Sequence, residues 1–123
     1  MSICRPRSTL HTIASYAVLP QRIGYVSYRS FSSTIGEGNL DAVLSYFEIA
    51  QGLIIDVRDN GGGNMTNVET LVRRFITGRT LAGYTVHKTG PGHGDFAEPY
   101  AYYYDAADAG RVRWLKPVVV LCN

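Results

Sequence analysis

Three consecutive glycines, Gly61, Gly62 and Gly63, stand between an apolar run, Leu53–Val57, and a stretch with helical spacing that begins near Thr66. Glycine accepts positive φ and puts no Cβ between the backbone and a ligand. Successive N–H groups beside a helix N-terminus attract negative charge. In acyl transfer such a turn can form one wall of an oxyanion hole, its N–H groups aimed at the charge that develops on the carbonyl oxygen. The same residues also make a tight strand-to-helix turn with no chemistry, and the residues alone leave both readings open. The pattern is not G-x-G-x-x-G, and it lacks the G-K-[ST] ending of a P-loop. Either reading predicts positive φ at one or more of the three glycines, with its N–H exposed near the helix start.

Other residues with chemical potential are weaker candidates. Asp56 and Asp59 flank Arg58 and could act as a general acid–base pair; the simpler role is to anchor the turn by accepting backbone N–H bonds. The serines are Ser2, Ser8, Ser15, Ser27, Ser30, Ser32, Ser33 and Ser45, and none lies in G-x-S-x-G. They read as ordinary hydroxyls. His11, His87 and His93 do not follow HExxH or a paired-ligand spacing. His93 shares a Gly/Pro loop with Asp95 and Glu98, which reads as a solvated loop before it reads as a cation site. Tyr100, Tyr102, Tyr103 and Tyr104 could stack on a ligand, but alternating tyrosines suit a half-buried sheet face. Cys4 and Cys122, the only two cysteines, have no metal or redox spacing; a bridge between them is the lesser reading, and Cys122 ends an apolar run as a small buried hydrophobe. Neither a metal nor a cofactor is expected.

The elements that must hold these groups follow from periodicity. Residues 1–20 have no clear period and end at Pro20, a connector. Ile23–Phe31 is β-branched and aromatic, a strand. Ser32–Gly38 is a loop, and Asn39 is placed to cap a helix whose apolar face is Leu40, Val43, Leu44 and Phe47. Leu53–Val57 suits a strand buried on both faces of a parallel sheet. Thr66 and Glu69 form a capping box for a second helix, with Val68, Leu71, Val72, Phe75 and Ile76 inward and Gly78 as the stop. Thr80–Lys88 is a strand and Gly90–Pro99 a loop. Tyr100–Trp114 reads as two strands around a turn at Asp108–Gly110, and Pro117–Leu121 as a last buried strand. Strands alternating with helices imply βαβ units. No helix follows the last strand to cover one sheet face, so the layer over it is expected to be incomplete and the chain to be marginally stable or prone to aggregate.

Composition bounds the rest. Hydrophobic residues are 46% and charged residues 18%, the mix of a globular chain rather than a disordered one. A net charge of +2, with the basic residues scattered, excludes a phosphate-tracking surface, so nucleic acid is not an expected partner. The longest apolar runs, Val118–Cys122 and Leu53–Ile55, are far too short to span a membrane. Leu10–Leu19 is interrupted by polar residues and makes a poor signal-peptide core.

The segment GLIIDVRDNGGGN resembles the signature of the tail-specific (C-terminal processing) serine peptidases, a strand ending in D-x-R-x-N-G-G-G. Three more segments agree in order: IGYVSYRSF with the strand that opens the catalytic core, GPGHGDFAEP with the loop after the third strand, and RWLKPVVVLCN with the strand that leads to the nucleophile. The resemblance covers roughly Ser15 to Asn123. Cys122 stands where threonine is usual, and Asp59 where asparagine is common.

The resemblance implies an α/β fold, a partial crotonase/Clp-protease-like ββα core with a mixed sheet and two main helices, over residues 21–123. It implies a polypeptide substrate and a serine nucleophile with a lysine base. The oxyanion-hole role falls on Gly61, Gly62 and Gly63, with Gly62 the preferred donor. The serine and lysine of the family are expected beyond Asn123, so this chain is expected to be inactive alone. Family members mostly act outside the cytoplasm. The alternative is a non-catalytic module, or truncated pseudo-enzyme, that recognises extended peptides by strand addition.

Overall fold

The computed structural model describes residues 15–123. The central unit is β2 (Ile23–Ser27), α1 (Glu37–Tyr46) and β3 (Gly52–Asp56), a strand–helix–strand unit whose two strands pair in parallel with Ile23 opposite Gly52 and Ser27 opposite Asp56. β6 (Val118–Leu121) adds in parallel on the far side of β3, and β1 (Ser15–Leu19) pairs antiparallel with β2. The sheet order is β1-β2-β3-β6, a mixed sheet. α2 (Met65–Val72) follows the glycine turn, and β4 (Thr80–Thr85) with β5 (Tyr100–Tyr104) forms a separate two-stranded ribbon. The fold is α/β with a mixed sheet and two helices, as expected.

The parallel register explains the core. Val26, Leu53 and Ile55 fall on one sheet face, where α1 lays Leu40, Val43, Leu44 and Phe47, and Leu71 and Trp114 close the cluster. Each such side chain is worth about 1.5–3 kcal/mol on burial. Gly24 has a packing reason: a Cβ there would lie 2.9 Å from the ring of Phe47. Val118 and Val120 share this face but sit beside an apolar groove of about 300 Å³, with Phe31, Val57, Val68 and Phe75 among its walls. Val119 and Val120 are 56% and 55% exposed, so the cover over β6 is incomplete, as anticipated.

Six local expectations are corrected. Ser15–Leu19 are a strand rather than part of a connector, because their backbone groups complete the antiparallel ladder with β2; residues 1–14 lie outside the described residues. α1 begins two residues before Asn39. Gly36 is its N-cap, and the Gly36 carbonyl accepts from the N–H groups of Asn39 and Leu40, both at 3.1 Å. α2 is capped by Asn64, whose side chain accepts from Thr66 N–H at 2.9 Å, so Thr66 lies inside the helix and is no cap. The helix ends at Val72, well before Gly78, with Arg73 as its C-cap. The turn at Asp108–Gly110 forms, but no hairpin grows from it. β5 pairs with β4 instead, and the following backbone bonds to helix ends: Ala107 N–H to Arg73 O at 2.9 Å and Trp114 N–H to Arg74 O at 2.8 Å. Cys122 is an exposed free thiol, and Cys4 lies outside the described residues.

One buried charge ties these layers. Arg74, at 0% exposure, donates to Asp41 Oδ1 at 2.5 Å, to Val112 O at 2.7 Å, to Glu37 O at 3.1 Å and to the Glu37 carboxylate. It thereby joins the end of α2 to the start of α1 and to the 105–116 segment. Among the described residues no helix is long and apolar enough to cross a membrane.

Candidate active site at the glycine turn

β3 ends at Asp56, which is 5% exposed and fully engaged. Its carboxylate accepts from Arg58 Nε at 3.0 Å, Arg58 Nη2 at 2.8 Å, the Arg58 N–H at 3.0 Å and the Tyr25 hydroxyl at 2.6 Å. The Arg58 guanidinium, then the Tyr25 hydroxyl, hold the Asp56 carboxyl well below the usual carboxylate range. That same bond to Asp56, with burial, pushes the Tyr25 hydroxyl up. A permanently ionised acid and a reluctant phenol cannot exchange protons near neutrality. Asp56 is therefore an anchor, the simpler of its two readings. Asp59 sits at φ 61, and its N–H donates to Asn123 Oδ1 at 3.1 Å, joining the turn to the end of β6.

The glycines are stitched to the chain leaving β2. Gly62 and Gly63 have φ of 89° and 144°, as expected, while Gly61 is not at positive φ. Phe31 N–H donates to Gly62 O at 2.9 Å, and Asn64 N–H donates to Phe31 O at 2.9 Å, a parallel bridge between Phe31 and Gly63. A Cβ on Gly63 would lie 2.2 Å from the Phe31 carbonyl carbon, so only glycine fits there. Asn67, nearly buried, braces the same loop: its Nδ2 donates to Phe31 O at 2.6 Å and to Ser33 O at 2.9 Å, and its Oδ1 accepts from Ile35 N–H at 3.0 Å. Asn60, Asn64 and Asn67 are the residues that sequence reasoning missed. Asparagines on either side of a glycine run were the available signal for Asn60 and Asn64.

Beside the turn lies a polar cleft of about 490 Å³ lined by Tyr25, Ser27, Arg29, Asp56, Arg58, Asp59 and Asn123. It sits at the carboxyl ends of β2, β3 and β6, where open parallel sheets place their ligand sites. Ser27 faces this cleft, whereas Ser30, Ser32 and Ser33 are in the following loop. Among the described residues no serine is hydrogen-bonded to a histidine or lysine side chain, and no cluster of three His, Cys, Asp or Glu could hold a metal. His87 and His93 belong to the β4–β5 side. There Asp95 accepts from Gly92 N–H at 2.7 Å and organises the Gly/Pro loop. Tyr104 is buried in the ribbon while Tyr100 and Tyr103 are exposed.

The site thus combines a glycine turn with two residues at positive φ and a polar cleft at the carboxyl edge of a mixed sheet. The profile of peptidase family S41 matches residues 22–123, and the chain belongs to that family. A crystal structure of a "putative peptidase" from Parabacteroides merdae is similar at 48% identity and a TM-score of 0.84, over 91% of this chain and 35% of that one. The chain thus spans about a third of that structure's length. None of the curated proteins matches it.

Proposed function

We propose that this chain supplies the oxyanion-stabilising turn and the adjoining sheet of a tail-specific (C-terminal processing) serine peptidase. The observation that carries the reading is the turn Gly61–Gly63, with Gly62 and Gly63 at positive φ, between β3 and the capped start of α2, inside the stretch that matches peptidase family S41. In this reading a polypeptide lies along the sheet with its scissile carbonyl oxygen toward the turn. A serine attacks the carbonyl carbon and a lysine accepts the hydroxyl proton. Backbone N–H groups of the turn then stabilise the tetrahedral oxyanion, an effect worth about 3–4 kcal/mol per donor in comparable sites. Among the described residues no serine is hydrogen-bonded to a lysine or histidine side chain, so in this reading residues 1–123 alone are expected not to turn over substrate. Incubating an unstructured peptide with the 123-residue chain, and with a protein extended through the coding sequence after Asn123, tests this by mass spectrometry. Cleavage by the extended protein and none by the shorter chain is expected. An extended protein with in-frame serine and lysine that leaves the peptide intact would sink the proposal.

A second reading has one observation in its favour. β6 pairs with β3 on one side, and its valines are largely exposed. Such an edge can accept an extended peptide as an added strand without any hydrolysis. Saturable binding of an unstructured peptide by the extended protein, with no cleavage, would favour this module over the peptidase.

A further inference from the structure

The three glycine N–H groups are not equivalent, and the difference resolves which one can face a developing oxyanion. Gly62 N–H is already committed: it donates to Asn60 Oδ1 at 2.7 Å. The same Asn60 side chain donates through Nδ2 to Tyr28 O at 2.9 Å, so its carboxamide bridges the exit of β2 to the turn and both of its ends are used. Gly61 N–H leans toward Arg29 O at 3.4 Å. The peptide joining Gly62 to Gly63 is fixed differently. Its oxygen accepts from Phe31 N–H at 2.9 Å, and the bond is trans. In a trans peptide the N–H points opposite to the C=O. Gly63 N–H therefore points away from the Phe31 segment; Gly63 is exposed, and its N–H has no partner among the described residues.

We infer that Gly63, rather than Gly62, presents the N–H that stabilises the oxyanion, and that Asn60 is the positioning residue that makes it so by holding Gly62 N–H and tying the turn to Tyr28. The inference rests on the oxyanion reading proposed above and assigns the roles within that site. The donor is pre-set: Phe31 fixes the plane of its peptide, and nothing within the turn competes for its hydrogen.

The test uses the ¹⁵N-labelled 123-residue chain and two variants. Amide hydrogen exchange followed by NMR should show Gly62 exchanging at least about tenfold more slowly than Gly63. Asn60→Ala should bring Gly62 to the rate of Gly63. Asn60→Asp keeps an acceptor but loses the donor to Tyr28 O, so it should restore the slow exchange at Gly62. If the alanine variant loses its Leu53 and Ile55 amide signals it has unfolded, and the aspartate variant decides alone. Titration with sodium acetate, a carboxylate stand-in for the oxyanion, should move the Gly63 amide resonance and leave Gly62 in place. Equal exchange at the two glycines in the unsubstituted chain, or acetate moving Gly62 and not Gly63, overturns the inference. Acetate moving neither amide, with the exchange pattern as expected, removes the donor role of Gly63 and counts against the oxyanion reading. Failure of peptide hydrolysis with all NMR results intact counts against the peptidase reading and not against the role of Asn60.

Discussion

Asp41 and Arg74 show how strongly single charged residues fix this chain. Burial pushes the Asp41 carboxyl up, but hydrogen bonds from Arg74, Val112 N–H and Arg111 outweigh it and bring it from its ordinary 3.8 down to about 2. A carboxylate whose folded value lies below its unfolded value of about 3.9 adds stability above that pH, and the contribution is lost as pH falls from about 4 toward 2. Asp56 acts in the same direction. The melting temperature should therefore be nearly level from pH 7 to 5 and fall between pH 4 and 2. Asp41→Asn should lower it at pH 6 and flatten the acid decline. A steeper decline in the variant would contradict the assignment. Arg74→Ala removes a fully buried side chain together with its bonds to Glu37, Val112 O and Asp41, while Asp41 keeps Arg111, which should cost about 1–3 kcal/mol in a denaturant melt. None of this network was legible in the sequence. Arg74 reaches Glu37 and Val112 across 37 and 38 residues, and side-chain bonds over such separations leave no periodic trace. The same is true of Asn67, whose bonds to Phe31 and Ser33 span 36 and 34 residues.

Elements were legible where hydrophobic spacing set them. The face Leu40, Val43, Leu44 and Phe47 is buried as its spacing requires, and Gly52–Asp56 is a strand with parallel neighbours on both sides. Their ends were less legible, because several residues near each terminus have capping ability and only geometry selects one. Asn64 was selected over Thr66 at α2. Asn64→Ala should accordingly destabilise the chain by about 0.5–2 kcal/mol, whereas Thr66→Ala should cost clearly less; equal losses in urea melts would refute the cap assignment. The hairpin expected after Asp108 failed for a related reason: the backbone of 107–114 found partners on helix ends, and local strand propensity was overridden. β6 carries a prediction of its own. Its exposed valines form an uncharged edge of the kind that pairs with other chains. Val119→Lys should raise the solubility of the 123-residue chain. A drop in solubility with loss of the melting transition would mean that Val119 is buried in solution.

At the scale of the molecule, the glycine turn was legible as a motif, while its working geometry was not. The residues D-x-R-x-N-G-G-G mark the turn in sequence. Which N–H groups are held and which is free follows only from Asn60, Tyr28 and Phe31, side chains and carbonyls brought in from β2 and the loop after it. The sheet, the polar cleft at its carboxyl edge and the match to peptidase family S41 support the account proposed above, in which this chain supplies the anion-stabilising turn of a serine peptidase. The most direct measurement of that account is peptide hydrolysis followed by mass spectrometry. The protein extended through the coding sequence after Asn123 should shorten an unstructured peptide, and residues 1–123 under the same conditions should leave it intact. Turnover by residues 1–123 that disappears on replacing Ser27 would show that the chain carries its own nucleophile, and an inert extended protein that contains both serine and lysine would show that the turn serves no peptidase.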